Sequence, residues 1–234
     1  MKKEQITYFH EKTKLEGYAA YEGEGKKPLI LLFHAWTGRD EFACKKAEEL
    51  AKLGYVGFAV DLFGPGKIGT THEECGALMQ PFVESRQFLR DRMYTAFEAA
   101  KKIAVVDQGK IGAIGFCFGG LSALDFARSG APIKGVVSFH GLLEAPKGVS
   151  KEKILSKILV LHGHDDPMVS AESISQFQSE MTRAEVDWQM HIYGHAMHAF
   201  TNPKAHDPGF GTVYNSLADK RSWIEMKNFF SEIF

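Results

Sequence analysis

Cysteine is scarce in this chain. Only Cys44, Cys75 and Cys117 occur in 234 residues, widely spaced and odd in number. That argues against a disulfide framework or a thiolate zinc site, and it suits a reducing compartment in which Cys117 stays a thiol. An excess of one charge is also missing. Lys plus Arg total 28 and Asp plus Glu total 29, a formal net charge of −1. Nothing in that balance favours nucleic acid or an anionic membrane surface. No apolar run reaches the about eighteen residues of a bilayer-spanning helix. The opening MKKEQITYFHEKTKLEGY has no apolar core of signal-peptide length, and no small-residue cleavage site follows it. The expectation is a cytoplasmic chain free of membrane and nucleic acid. Repeats, low-complexity linkers and composition breaks are absent, so residues 1–234 read as one domain.

What is present is a core and a rhythm. Hydrophobic residues make up 44% of the chain. QITYFHE and LEGYAAYEG alternate loosely and predict an N-terminal antiparallel hairpin. The continuous apolar run Pro28–Phe33 fits a strand buried on both faces. EFACKKAEELAKLG has helical spacing and stops at Gly54, and YVGFAVDLFG is a second buried strand. Residues 62–82, with Gly64, Pro65, Gly66 and Gly69, read as a long irregular loop covering the cleft. Helical periodicity then runs from about Val83 to Val106. KIGAIGF, IKGVVSFHG and KILVLHG predict further strands, and VDWQMHIY a last one. Between and after them, GGLSALDFARSG, Ser170–Arg183 and about Asn215–Phe234 predict helices. Such alternation implies an α/β fold with a mostly parallel twisted sheet and helices on both faces.

In sheets of this kind ligands bind at the carboxyl ends of the strands. The residues there are His34–Trp36, Asp61–Phe63, Phe116–Phe118, His140, Asp165–Pro167 and His195–Phe200. Among them, Gly115-Phe116-Cys117-Phe118-Gly119 places a cysteine between a strand and a helix, as a nucleophile elbow would. Taken alone, the motif fits a core cysteine beside packing glycines equally well. The partners separate the two readings. An acid follows KILVLHG and histidines follow the last strand, in the order nucleophile, acid, base. Asp166 is favoured over Asp165 because Pro167, Met168 and Val169 lock the loop behind it. His198 is favoured over His195 because Ala199 and Phe200 anchor it, whereas His195 follows Gly194 directly. His34, His140 and His162 read first as structural histidines.

Through GFCFGG, LHGHDDPMV and HAFTNP the chain resembles the dienelactone hydrolase family of α/β-hydrolases. FHAWTG, GYVGFAVDLFG and YNSLADKRSWIEMKNFF extend the resemblance weakly along nearly the whole chain. It implies the α/β-hydrolase fold, Cys117 as nucleophile, His198 as base and Asp166 as its orienting acid. Two positions depart from the family pattern. The glutamate that pairs with the resting nucleophile in the best-known members aligns with Ala35, and an arginine four residues after the histidine aligns with Asn202.

The mechanism expected is hydrolysis of a small-molecule ester or lactone through a thioester, with no cofactor and no metal. Without a glutamate at Ala35, Cys117 is expected to pair directly with His198. The backbone amides of Trp36 and Phe118 are the candidate oxyanion donors. Ala35, Phe63, Phe82, His140 and Phe200 are candidate substrate-pocket residues. Arg86 joins them as a possible partner of an acidic group, although Arg86 and Arg90, four apart, read first as a solvated helix face. Two rivals stand beside this reading. His191, His195 and His198 have a spacing that would suit zinc on a helix, but they lie at a strand end. A non-catalytic ligand-binding or thiol-redox-sensing protein of the same fold is the second.

Overall fold

The computed structural model describes residues 1–149 and 152–234. These fall into two units, one of residues 1–114 with 147–149, the other of 115–146 with the described residues from 152 onward.

The first unit opens with β1 (Lys2–His10) and β2 (Thr13–Tyr21), an antiparallel pair in register from Lys2 opposite Tyr21 to His10 opposite Thr13. Then come β3 (Lys27–Phe33), α1 (Glu41–Lys52) and β4 (Val56–Ala59). β2 is antiparallel to β4, and β3 is parallel to it. Leu29–Phe33 and all of β4 are buried, as their continuous apolar runs require. Helix α1 presses close on β4: a Cβ at Gly57 would collide with the Ala47 carbonyl oxygen. Behind β4, the buried Asp61 carboxylate accepts from the amides of Glu16, Phe63 and Gly64 and so shapes the turn.

Residues 62–82 are not the single irregular loop the glycines suggest. Helix α2 (His72–Glu84) begins inside that stretch. Thr71 caps it in a capping box: the Glu74 amide donates to Thr71, and the Glu74 carboxylate accepts from the Thr71 amide. Nor is 83–106 one helix. The chain breaks at Ser85, which caps α3 (Arg86–Ala100), and β5 (Val106–Phe116) starts where the helix was expected to end. The inward side of α3 carries Leu89, Arg90, Met93, Ala96 and Phe97. Arg90 is therefore buried, not part of a solvated face.

The second unit begins with Gly115 and Phe116, the end of β5, and continues with α4 (Phe118–Arg128), whose residues are all buried. β6 (Gly135–Phe139), β7 (Lys157–Gly163) and β8 (Trp188–Tyr193) pair in that order, all parallel. Helix α5 (Ala171–Arg183) connects β7 to β8, capped by Ser170. A small ribbon of β9 (His206–Asp207) and β10 (Thr212–Val213) follows, which the sequence pattern does not reveal. Helix α6 (Ser216–Ile233) closes the chain, capped by Asn215. The fold is thus α/β, mostly parallel with an antiparallel N-terminal pair, as the alternation of elements predicts. Among the described residues no helix is long and apolar enough to cross a membrane.

Candidate active site

Cys117 stands between β5 and α4 with φ 56° and ψ −117°, a conformation that non-glycine residues rarely hold. The turn is tight enough that a Cβ at Gly115 would land on the Gly119 carbonyl oxygen. A Cβ at Gly120 would press on Ser138 and Gly141. Gly115 and Gly120 are therefore steric requirements of the turn. The turn leaves Cys117 half-buried at the amino end of α4, where helix amides and the helix dipole favour negative charge. None of the three cysteines is in a disulfide.

Asp166 lies in the turn after β7. Its Oδ1 accepts from the Met168 amide at 2.9 Å, and its Oδ2 is 2.8 Å from His198 Nδ1. The turns after β7 and β8 are tied together: the Asp165 amide donates to the Ala196 carbonyl, and the His164 amide to the Tyr193 carbonyl. His198 is strapped from the other side, its carbonyl accepting from the Val213 amide of β10. So the unforeseen ribbon holds the histidine segment.

Both partners are buried, Asp166 at 4% and His198 at 1% exposure. Asp165 and His195 instead form a loose 4.0 Å pair at the surface. Burial pulls the His198 pKa down, but the charge of the Cys117 sulfur and the hydrogen bond to Asp166 outweigh it. The balance raises the group to about 10. Nδ1 is committed to Asp166, which leaves Nε2 for the sulfur. Nε2 makes no hydrogen bond of full geometry among the described residues. The attraction between Cys117 and His198 is accordingly one of charge first and of hydrogen bonding second.

The remaining predicted residues divide. His140 and Phe200 are fully buried in the second unit, their rings edge to face at 5.1 Å. Both His140 ring nitrogens are engaged by the protein, Nδ1 by the Cys117 amide and Nε2 by Thr201 Oγ1. Phe118 opens α4 and is buried. In the first unit, Phe63 and Phe82 are buried and pack at 5.4 Å, with Phe63 also edge-on to His34. Ala35 and Trp36 are half-buried after β3, with Trp36 against His72. Arg86 is half-buried at the start of α3. Among the described residues no three His, Cys, Asp or Glu side chains are grouped to hold a metal ion, so His191, His195 and His198 do not converge. Thr201 is the residue that sequence reading missed. Its signal is only a polar side chain three positions beyond His198, directly after the apolar Ala199 and Phe200.

Comparison with known proteins adds a family to the fold and the site. The model of the dienelactone hydrolase family matches residues 15–234. A crystal structure of a dienelactone hydrolase-like promiscuous phosphotriesterase from metagenomic libraries superposes with a TM-score of 0.93. It is 34% identical, covering 100% of this chain and 98% of that one. A protein of Aquifex aeolicus (strain VF5) named "Putative carboxymethylenebutenolidase" is 28% identical over 222 residues, 93% of each chain. A dienelactone hydrolase from Anabaena variabilis shares the fold, with a TM-score of 0.68 and 20% identity over 97% of each chain.

Proposed function

The chain belongs to the dienelactone hydrolase family, and from that premise we propose that it hydrolyses small-molecule esters or lactones through Cys117, His198 and Asp166. The observation that carries the proposal is the buried His198, bonded to Asp166 at 2.8 Å and drawn by the Cys117 sulfur to a pKa of about 10. A resting thiolate–imidazolium pair needs no other base, which suits a chain with alanine at position 35.

The thiolate attacks the ester carbonyl, forming a C–S bond and an oxyanion. The Phe118 amide, the residue after the nucleophile and the first of α4, is our donor to that oxyanion. Losing one such donor typically costs about 2.7–4 kcal/mol of barrier stabilisation. Collapse breaks the C–O bond, and the alkoxide takes the proton of His198. A thioester and a neutral imidazole remain. The imidazole then takes a proton from water, and the hydroxide attacks the thioester. The acid departs, and the thiolate–imidazolium pair is restored. Asp166 holds the tautomer and stabilises the charged ring throughout.

The test is a rapid-mixing measurement with p-nitrophenyl acetate. The native chain is expected to release a burst of p-nitrophenol and to carry the acetyl group on Cys117 by mass spectrometry. Cys117→Ala should show neither. No turnover of any activated ester by the native chain would overturn the proposal in favour of a ligand-binding or thiol-sensing protein. The phosphotriesterase relative supports a second substrate class, because a thiolate also attacks phosphorus. Release of p-nitrophenol from a dialkyl p-nitrophenyl phosphate, lost in Cys117→Ala, is the expected result.

A further inference from the structure

We propose that His140 is a positioning residue for the nucleophile: its Nδ1 holds the Cys117 backbone in the elbow, and Thr201 fixes the tautomer that allows this. The inference rests on the reading of Cys117 as nucleophile. It begins with the backbone. Cys117 occupies positive φ, a conformation that persists only where its surroundings impose it. Its amide is shared between the Phe139 carbonyl at 3.0 Å and His140 Nδ1 at 3.1 Å. A ring nitrogen accepts only when it carries no proton. The proton of the neutral ring must then sit on Nε2, which lies 2.8 Å from Thr201 Oγ1. Thr201 is 1% exposed and His140 2%, so both bonds lie inside the protein. The other tautomer would set an Nδ1 proton against the Cys117 amide proton, donor against donor.

The ring is itself held. The His140 amide donates to the Leu161 carbonyl at 2.8 Å, and the ring meets the edges of His198 and Phe200, each at 5.1 Å. The connections close a circuit. Cys117 bonds to His140, His140 to Thr201, Thr201 lies three residues beyond His198, and the His198 imidazole returns to the Cys117 sulfur. His140 therefore sets the sulfur-to-imidazole geometry from behind. The ionisable groups around it are Cys117 at the elbow, His198, His162 on β7 and Asp166 beyond His198. Burial first, and the His198 charge second, push the His140 pKa well below its ordinary value. A neutral acceptor is what the amide needs.

The experiment titrates the Cys117 thiolate by its ultraviolet absorbance, with the Cys117→Ala signal subtracted, and measures the acylation burst at neutral pH. His140→Leu removes both bonds. His140→Asn keeps an acceptor oxygen near the Nδ1 position and tolerates the positive φ of 40° at which residue 140 sits. His140→Leu is expected to titrate at higher pH and to acylate about tenfold more slowly, the loss of roughly one hydrogen bond's positioning. His140→Asn should titrate near the native value and acylate within about threefold of it. Thr201→Val should shift both readouts in the same direction by less, and should add nothing on the His140→Asn background. A native titration in His140→Leu, or His140→Asn as impaired as His140→Leu, would overturn the proposal. Should His140→Leu not fold, Thr201→Val with native titration and burst would do the same. A burst that survives in Cys117→Ala would sink the nucleophile reading instead, a result distinct from all of these.

Discussion

Asp166→Asn probes the pair on which the chemistry depends. The Asp166 side chain is fully buried, with Oδ1 on the Met168 amide and Oδ2 on His198 Nδ1. Asparagine has the same shape and keeps the Met168 contact through its oxygen. Its NH2 group then faces Nδ1, which must become an acceptor. The imidazole proton is forced onto Nε2, pointing at the sulfur, and the ring can no longer take a proton there. The rise of His198 from 6.5 to about 10 is worth roughly 5 kcal/mol of preference for the imidazolium. Cys117 supplies the larger part of what overcomes burial, and Asp166 the next. A hydrogen bond to a charged partner is worth about 1.5–3 kcal/mol, so that much is lost with the carboxylate. The wrong tautomer costs more, on the order of ten-thousandfold in kcat where a triad aspartate has become asparagine. We therefore expect acylation by p-nitrophenyl acetate to fall about a thousandfold or more. Alkylation of Cys117 by iodoacetamide should also move to higher pH, while the folded structure persists. Acylation within tenfold of native and an unmoved alkylation profile would refute the reasoning, because the carboxylate would then be a passive neighbour.

The raised His198 pKa also sets an alkaline limit. A raised pKa keeps the proton on as pH climbs, so kcat/KM should be level through neutral pH and fall above about 10. A limb near the ordinary histidine value would contradict it. Stability has a separate test in Arg128, which is buried and bonds Glu180 through two nitrogens, Asp125 at 3.4 Å and the Leu143 carbonyl at 2.8 Å. Arg128→Met breaks the buried ion pair with Asp125 and both bonds to Glu180, and is expected to cost about 3–5 kcal/mol by urea denaturation. A cost below about 1 kcal/mol would show that the network is solvated in solution.

Much of this site is legible along the chain because its parts obey local rules. Gly115 marks the elbow, since the collision it avoids, with the carbonyl of residue 119, lies within five residues. The buried strands announce themselves as unbroken apolar runs, and Ser170 and Asn215 mark helix starts where the pattern places them. The same kind of signal was present and overlooked at Thr71 and Glu74, whose capping box starts a helix inside a stretch that its glycines make look like loop. Arg90 was misread because charge suggests solvent, whereas its place beside Leu89 and Met93 on α3 turns it inward.

The sequence by itself determined the order of the elements, the turn that carries the cysteine and the family to which the chain belongs. Sequence favoured Asp166 and His198, but only tertiary structure set the two buried side by side at 2.8 Å, brought His140 and Thr201 behind the cysteine, and strapped His198 with a two-strand ribbon. The physical reason is range. Steric and capping rules act over a few residues and leave their mark in neighbouring letters. Burial, charge pairing and tautomer choice depend on groups tens of residues apart, and these acquire neighbours only when the chain has folded.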